Sequence, residues 1–550
     1  MTYNIVYVIS PKIKLHSKLE EMLCKTIYWN LCCTSHVLLF PMKGTSVFRD
    51  YFQDFQDQYV LIGGAACDLI FETGKIQNAN ISHITGYIID MVAINMLIYN
   101  RIAEILQMEV LKMLLDFKIS NYKSFFEQAD FFMMPAPRQT GLDFSIQKQK
   151  VGAKTYRALS SAVIYGPNAS GKTNLIGAMD TMRAIVLRGH IKDADPTATA
   201  NPASAMLELI PNQGNAPAPT SFYIRFLENG LVVEYSLSLQ LGEFLDKDFK
   251  RKIIEEKLSV NERPVFIRTN HLELETSAAT EQYLNPSVMG NLSTAIKIAE
   301  SGLNDEELFL CNGYKTIFSK ELVSMILNWF ENKFMVIYRS DSLKAMRKFA
   351  DPKDNTVYVD KTLTLAAKEF GITANALGYR IDGERAELCS IVDDHGQKAA
   401  IPAELFESYG TLRFVNEFPL IIRALLNGAT LVMDEFDASI HPMALMNIIS
   451  IFHNDEINKK HAQLIFNTHN PIFLDASLFR RDEIKFVERD ETTNCSVHYA
   501  LSDFKTANGV RKGEAYMNNY FVNRYGAIKD VDFSSILKEI IDASEVKKDG

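Results

Sequence analysis

The sequence predicts an α/β fold in which a mixed sheet carries a phosphate-binding turn, with an inserted helical lid and a small N-terminal extension. Three stretches carry that prediction. Residues 161–176 read Ser-Ala-Val-Ile-Tyr-Gly-Pro-Asn-Ala-Ser-Gly-Lys-Thr-Asn-Leu-Ile. A β-branched apolar run gives way there to a glycine-bounded turn, then to apolar residues at helical spacing (Leu175, Ile176, Met179, Met182, Ile185). Ala429 to Glu435 is a second apolar run and ends in two carboxylates, Asp434 and Glu435. Ala462 to His469 is a third, ending in a histidine. Parallel sheets place ligands along the edge where their strands end, so the three endings are expected to share one site.

At 550 residues the chain is long enough for roughly two to four domains. Hydrophobic residues at 47% and charged residues at 23% make an ordinary globular balance. The net charge of −9 gives no overall basic field, so charge does not indicate nucleic acid, although a local basic patch stays open. Seven cysteines form an odd set without framework spacing, and Cys32 and Cys33 are adjacent, which suits neither a simple bridge nor a zinc site. They read as reduced thiols of a cytoplasmic protein. No run approaches the ~18 apolar residues of a membrane span. Met1 to Ser10 lacks the basic start and long apolar stretch of a secretion signal.

Taken in order, the first 107 residues differ from the rest: Cys24, Cys32, Cys33 and Cys67 all fall there. Asp57 to Phe71 lines up an apolar run (Tyr59 to Ile62), a Gly63-Gly64 turn and an apolar helix start. From Met113, alternation at Leu115, Phe117 and Ile119 predicts a strand that ends at Ser120-Asn121. Gly166, Gly171, Lys172 and Thr173 then match G-x-x-x-x-G-K-[ST] in the strand–turn–helix context that gives this P-loop motif its meaning. Residues 193–220 are rich in Pro, Ala and Asn and predict an irregular connection. Phe222 to Phe226 and Leu231 to Leu241 alternate around Glu228-Asn-Gly230, which predicts an antiparallel hairpin. From about Thr280 to Phe370 the pattern turns helical, as in Lys320 to Phe334 and Lys361 to Phe370, without heptads enough for a long coiled coil. Phe406 to Arg413 reads as a helix start capped by Ser408, with Leu412, Val415, Phe418 and Leu420 to Ile422 behind it. Ser544 to Gly550 are mostly polar and expected to fray.

The chemistry follows from donors gathered in one turn. Backbone N–H groups and the partial positive charge of a helix start suit a triphosphate held by Gly166, Asn168, Ala169, Ser170, Gly171, Lys172, Thr173 and Asn174. Lys172 would reach the β/γ-phosphates, and the Thr173 hydroxyl with Asp434 would hold Mg²⁺, Asp434 through water. Glu435 is the candidate general base toward the attacking water. A lone histidine is more often structural, but His469 follows its strand directly, and a donor there could reach the γ-phosphate.

The order of these motifs resembles the ABC/SMC-type ATPases: the P-loop, a Ser408-x-Gly410-Thr411 helix, Met433-Asp434-Glu435, Asp437-x-Ser-Ile-His441-Pro442 and Asn467-Thr-His469. More narrowly it is similar to the bacterial AAA family ATPases of the abortive-infection group. Those are related to the overcoming-lysogenization-defect (OLD) proteins and to the RecF/SMC class. Their opening matches Leu115 to Phe125, their ending resembles Asn523-Arg-Tyr-Gly-Ala527, and the likeness covers about residues 113–530. It implies a P-loop NTPase with an ABC-type head, and Ser408, Gly410 and Thr411 capping ATP bound by a second protomer. Tyr409, bulky where small residues are common, departs from that pattern, and Gln213 is a weak candidate for the glutamine of the Q-loop. The resemblance further implies a homodimer or higher assembly that closes on ATP and opens on hydrolysis, in anti-phage defence, with a separate nuclease or toxin as effector. Asp57 to Phe71 resembles the opening of AbiEii-type nucleotidyltransferases, which need a D-x-D pair on the next strand to hold two metal ions. Asn78 to Met96 offers only Asp90, so a remnant or a helix-rich extension is expected.

The resulting division is an extension at 1–107, a P-loop lobe at 108–192, an antiparallel segment at 193–279, the insertion at 280–400, a second lobe at 401–505 and a tail at 506–550. Two other readings stay open: a DNA-maintenance ATPase that binds DNA when closed by ATP, and an ATP-binding scaffold with little turnover.

Overall fold

A computed structural model describes residues 112–137, 139–192, 207–214, 218–243, 249–274, 281–338, 356–369, 371, 376–382, 385–504, 514–529 and 531–546. The N-terminal extension, with the glycine turn of Asp57 to Phe71, lies outside them.

In chain order, β1 (Met113–Ser120) and β2 (Ala129–Phe132) precede a hairpin of β3 (Ile146–Val151) and β4 (Lys154–Leu159), then β5 (Ser161–Tyr165) and helix α1 (Lys172–Arg188). Next come β6 (Thr220–Glu228), β7 (Leu231–Gln240), β8 (Lys252–Val260), β9 (Arg263–Arg268) and β10 (Leu272–Leu274). Helices α2 (Leu292–Ser301) and α3 (Lys320–Asn328) lead to β11 (Phe334–Ile337). Beyond it lie β12 (Val357–Val359), α4 (Lys361–Glu369), β13 (Ala376–Asp382), β14 (Arg385–Asp394) and β15 (Gln397–Pro402). The last section holds α5 (Tyr409–Asn427), β16 (Thr430–Met433), α6 (Pro442–Phe452), β17 (Gln463–Asn467), β18 (Ile484–Arg489), β19 (Ser496–Ala500) and α7 (Ser534–Val546).

A six-stranded mixed sheet runs β11-β16-β17-β5-β18-β19, parallel throughout except for β19. Every residue of β5, β16 and β17 is buried, which is why these strands read as unbroken apolar runs. A seven-stranded antiparallel sheet runs β10-β9-β8-β7-β6-β1-β2. Asn229 (φ 51°) and Gly230 (φ 74°) both take left-handed conformations between β6 and β7, the two-residue turn that matches the twist of a hairpin.

One face of the parallel sheet meets α1, whose Leu175, Ile176, Met179 and Met182 join Phe117, Phe222 and Ile224 of the antiparallel sheet in a single core. Its other face packs Val163, Leu431 and Phe466 on Phe414 and Val415 of α5 and on Leu445 and Ile449 of α6. Gln463 joins the two sheets. Its carboxamide accepts from Leu114 N (2.6 Å) and Thr430 Oγ1 (2.8 Å) and donates to Leu114 O (3.1 Å) and Leu159 O (2.8 Å).

The segment predicted as a helical insertion is more mixed. It contains α2, α3 and α4, but Phe334–Ile337 is an edge strand of the parallel sheet, and β12 to β15 form a four-stranded antiparallel sheet. Four apolar residues directly after a helix are too short to declare a strand by periodicity. The alternation Leu377, Tyr379, Ile381, all buried, was the legible sign of β13. The stretch expected as a tail is also packed in part. Tyr516, Tyr520, Tyr525 and Ala527 are buried, Tyr520 lies 6.0 Å from the Tyr165 ring, and Tyr499 Oη donates to Tyr525 O (2.8 Å).

The helical section is tied to the antiparallel sheet by Glu256 on β8, which is fully buried. Its carboxylate accepts from Phe309 N (2.7 Å), Leu310 N (2.9 Å), Tyr235 Oη (2.9 Å) and Arg268 Nη1 (3.4 Å). Glu256→Ala would orphan these donors and is expected to cost about 3–5 kcal/mol. Denaturant unfolding checks this; a loss below about 1 kcal/mol contradicts it.

Candidate functional site

β5 delivers the chain into the P-loop between β17 and β18, and close packing decides the residues of the turn. A Cβ on Gly166 would sit 2.2 Å from the Val487 carbonyl oxygen. At Gly171 (φ 112°) it would meet Ser496 Oγ at 2.4 Å and Ser124 Oγ at 2.7 Å. Both positions therefore require glycine. Ser496 Oγ donates to Ser170 O (2.5 Å), and Asn174 Nδ2 donates to Ser124 Oγ (2.8 Å), so a strand edge and the loop after β1 brace the turn. Asn168 and Ala169 are exposed at its tip.

Lys172, the first residue of α1, is buried and its Nζ donates to Gly166 O (2.7 Å) and Pro167 O (3.0 Å). Burial lowers its pKa to about 8, against the opposing pull of Asp434, Glu435 and Asp437. An ammonium whose proton is held less tightly than usual, beside N–H groups at a helix start, is stabilised in its charged form when an anion arrives.

The acidic half comes from the next strands. Thr173 Oγ1 donates to Asp434 Oδ1 at 3.2 Å. Asp434 is buried, and the same oxygen accepts from Asn467 Nδ2 at 2.6 Å. Glu435 has left-handed backbone (φ 50°), a conformation that non-glycine residues hold only where neighbours enforce it. Its N–H donates to Asn467 Oδ1, and its carbonyl accepts from Ala438 N (3.1 Å) and from Arg413 Nη2 of α5. Its side chain stays exposed. Thr468 Oγ1 donates to Asp437 Oδ2 (2.6 Å). His469 is exposed at the rim; partial desolvation and then the charge of Lys172 lower its pKa, which favours the neutral ring.

A hydroxyl and a carboxylate meeting at a helix start form the oxygen-only, sparsely filled donor set that suits Mg²⁺, which keeps most of its waters. Thr173 and Asp434 would hold it. Among the described residues no group of three or more His, Cys, Asp or Glu forms a denser cage.

The Ser-x-Gly-Thr helix starts as predicted. Ser408 caps α5, accepting from Thr411 N at 3.2 Å, and its hydroxyl lies 3.0 Å from that of Thr411. Tyr409 is exposed. Gly410 has a reason within its own chain: a Cβ there would lie 2.1 Å from the Ser439 carbonyl oxygen, just beyond the acidic strand. Gln213 is exposed in the turn after Asn212, whose side chain donates to Lys123 O (2.7 Å).

Sequence reading gave no role to Asn467, named only as part of the Asn467-Thr-His469 motif, or to Arg413. Asn467 was visible as the polar end of an apolar strand beside His469. Arg413 showed no sign, because a charged residue in a helix ordinarily faces solvent, whereas this one is buried against Glu417 (Nε to Oε1, 2.9 Å). Burial in turn pushes the Glu417 carboxyl up to about 8.

The profile of a family described as "AAA domain, putative AbiEii toxin, Type IV TA system" matches residues 161–475, more than half of the chain. No curated protein matches. The match spans the P-loop, α5, the acidic strand and His469, and stops short of Arg489 and the tail.

Gly410→Ala is expected to push the Ser439 loop away and destabilise the fold by about 1–3 kcal/mol. Thermal unfolding measures it, and an unchanged midpoint would mean that the loop yields freely.

Proposed function

The chain belongs to the AAA domain family of putative AbiEii toxins of type IV toxin–antitoxin systems, and from that premise we propose that it is an ATPase working as a conformational switch. The observation that carries the reading is the Thr173–Asp434 contact. It joins the helix start after one strand to the carboxylate ending another, as a magnesium-bound triphosphate requires.

In this reading the P-loop N–H groups and Lys172 bind the phosphates, and Asn467 fixes the Asp434 carboxylate toward Thr173. Thr173 and Asp434 would hold Mg²⁺, which would supply charge neutralisation toward the phosphates. Glu435 takes the proton of the attacking water, and His469, as a neutral donor, supports the γ-phosphate oxygens. The second copy of the chain supplies Ser408, Gly410 and Thr411. The exposure of Leu405, Phe406 and Tyr409 around that helix start supports a face made to be covered. ATP then favours the closed pair and hydrolysis releases it, and the two states control a separate effector, a nuclease or toxin, in defence against phage. Among the described residues no helix is long and apolar enough to cross a membrane.

Two outcomes test this. Glu435→Gln should lower turnover by about 10²–10⁴-fold while ATP still binds, and Lys172→Ala should abolish binding in a folded protein. Equal turnover of Glu435→Gln and wild type would leave a nucleotide-binding scaffold. The pH response follows from Lys172. Its pKa of about 8 in the free protein must rise beside the phosphates, so binding takes up a proton above that pH. Affinity should be flat below about pH 7 and fall as pH rises through 8. Calorimetry at pH 8.5 in buffers of different ionisation heat reads the uptake; identical heats contradict it.

A further inference from the structure

We infer that Arg413 is a positioning residue: it fixes the backbone of Glu435 and thereby makes turnover depend on where helix α5 sits. The inference rests on the ATPase reading above and adds a link between the helix capped by Ser408 and the general base of the same chain.

Three observations carry it. Glu435 occupies a left-handed conformation that is unfavourable for a side chain of its kind, so something outside the residue must hold it (φ 50°). Both of its backbone groups are held by side chains from elsewhere: the N–H by Asn467 of β17, the carbonyl by Arg413 of α5. Arg413 is itself fixed, since it is buried and its Nε donates to Glu417 Oε1 one helical turn on (2.9 Å). The two anchors differ in kind. Asn467 ends β17, whose partner strand β16 leads directly into the turn that carries Glu435, and it also grips Asp434, so it moves with that strand pair. Arg413 rides on a helix whose first turn is in contact distance of the Ser439 carbonyl and leaves Tyr409 exposed.

A helix displaced at its start by a neighbouring molecule would therefore carry the guanidinium with it. The turn from Asp434 to Ala438, which shares the same carbonyl, would rotate Glu435 into or out of line. An arginine is needed because one planar fork serves the Glu417 carboxylate and the Glu435 carbonyl together; a lysine ammonium at the end of a shorter stem cannot span both.

The test uses the full chain and steady-state ATP hydrolysis. Arg413→Lys, which keeps the charge and a partner for Glu417, should lower kcat at least tenfold, and Arg413→Gln by about 30- to 100-fold. KM for ATP should stay within about threefold in both. Glu417→Gln retains an oxygen for Arg413 Nε and should stay within threefold of wild type in kcat. In a Glu435→Gln background, Arg413→Gln should bring no further loss. Turnover unaffected by either Arg413 variant overturns the inference. So does Glu417→Gln losing as much as Arg413→Gln, which would make the pair a structural element only, and so does additive loss with Glu435→Gln. Absence of turnover sensitive to Glu435→Gln in the parent protein would instead overturn the ATPase reading itself.

Discussion

Parallel pairing of β16, β17 and β5 sets Met433, Phe466 and Val163 side by side, and the rest of the site depends on that register. Each strand is buried on both faces, with Val163, Leu431 and Phe466 in one core and Ile164, Val432 and Ile465 in the other, so a slip by one residue would exchange the two sets. With the register fixed, the chain leaves the three strands at one edge. Asp434 emerges beside Asn467, and the P-loop opens next to both. Residues far apart in sequence become neighbours because apolar packing, rather than their own chemistry, places the strand ends.

Once there, the polar groups are held by other polar groups. Asp434 shares its oxygen between a hydroxyl and an amide, Asp437 is bonded by Thr468, and Glu435 has both backbone groups engaged. Burial works against such charges: it drives Glu417 toward the protonated form even though Arg413 donates to it. Lys172, close to these carboxylates, loses affinity for its proton by being desolvated, although their charges pull the other way.

The features legible in the sequence were those that depend on local pattern. The strand–turn–helix around Gly166, the hairpin at Asn229-Gly230 and the Ser408 cap each rest on backbone chemistry spanning a few residues, and each stands where the pattern put it. What escaped is long-range. Phe334–Ile337 is a strand only because β16 lies beside it, and Arg413 is a ligand of Glu435 only because α5 crosses the acidic turn. Gly410 was readable as part of a motif, but its contact with Ser439 depends on how two segments pack. The Asn523–Ala527 motif was recognised without its physical cause. Gly526, at φ 70°, lets the chain pass Tyr499 Oη where a Cβ would come within 2.6 Å.

Gln463 stands at the start of β17, several residues upstream of the edge where Asn467 and His469 emerge. Its amide makes four bonds, two to Leu114 of the antiparallel sheet, one to Thr430 of its own sheet and one to Leu159 of the β3–β4 hairpin, which saturates it. The layers are bonded again beside the P-loop, where Ser496 N–H donates to Ser124 O (2.7 Å), so losing the Gln463 amide would free the far end while the rim of the site stays tied.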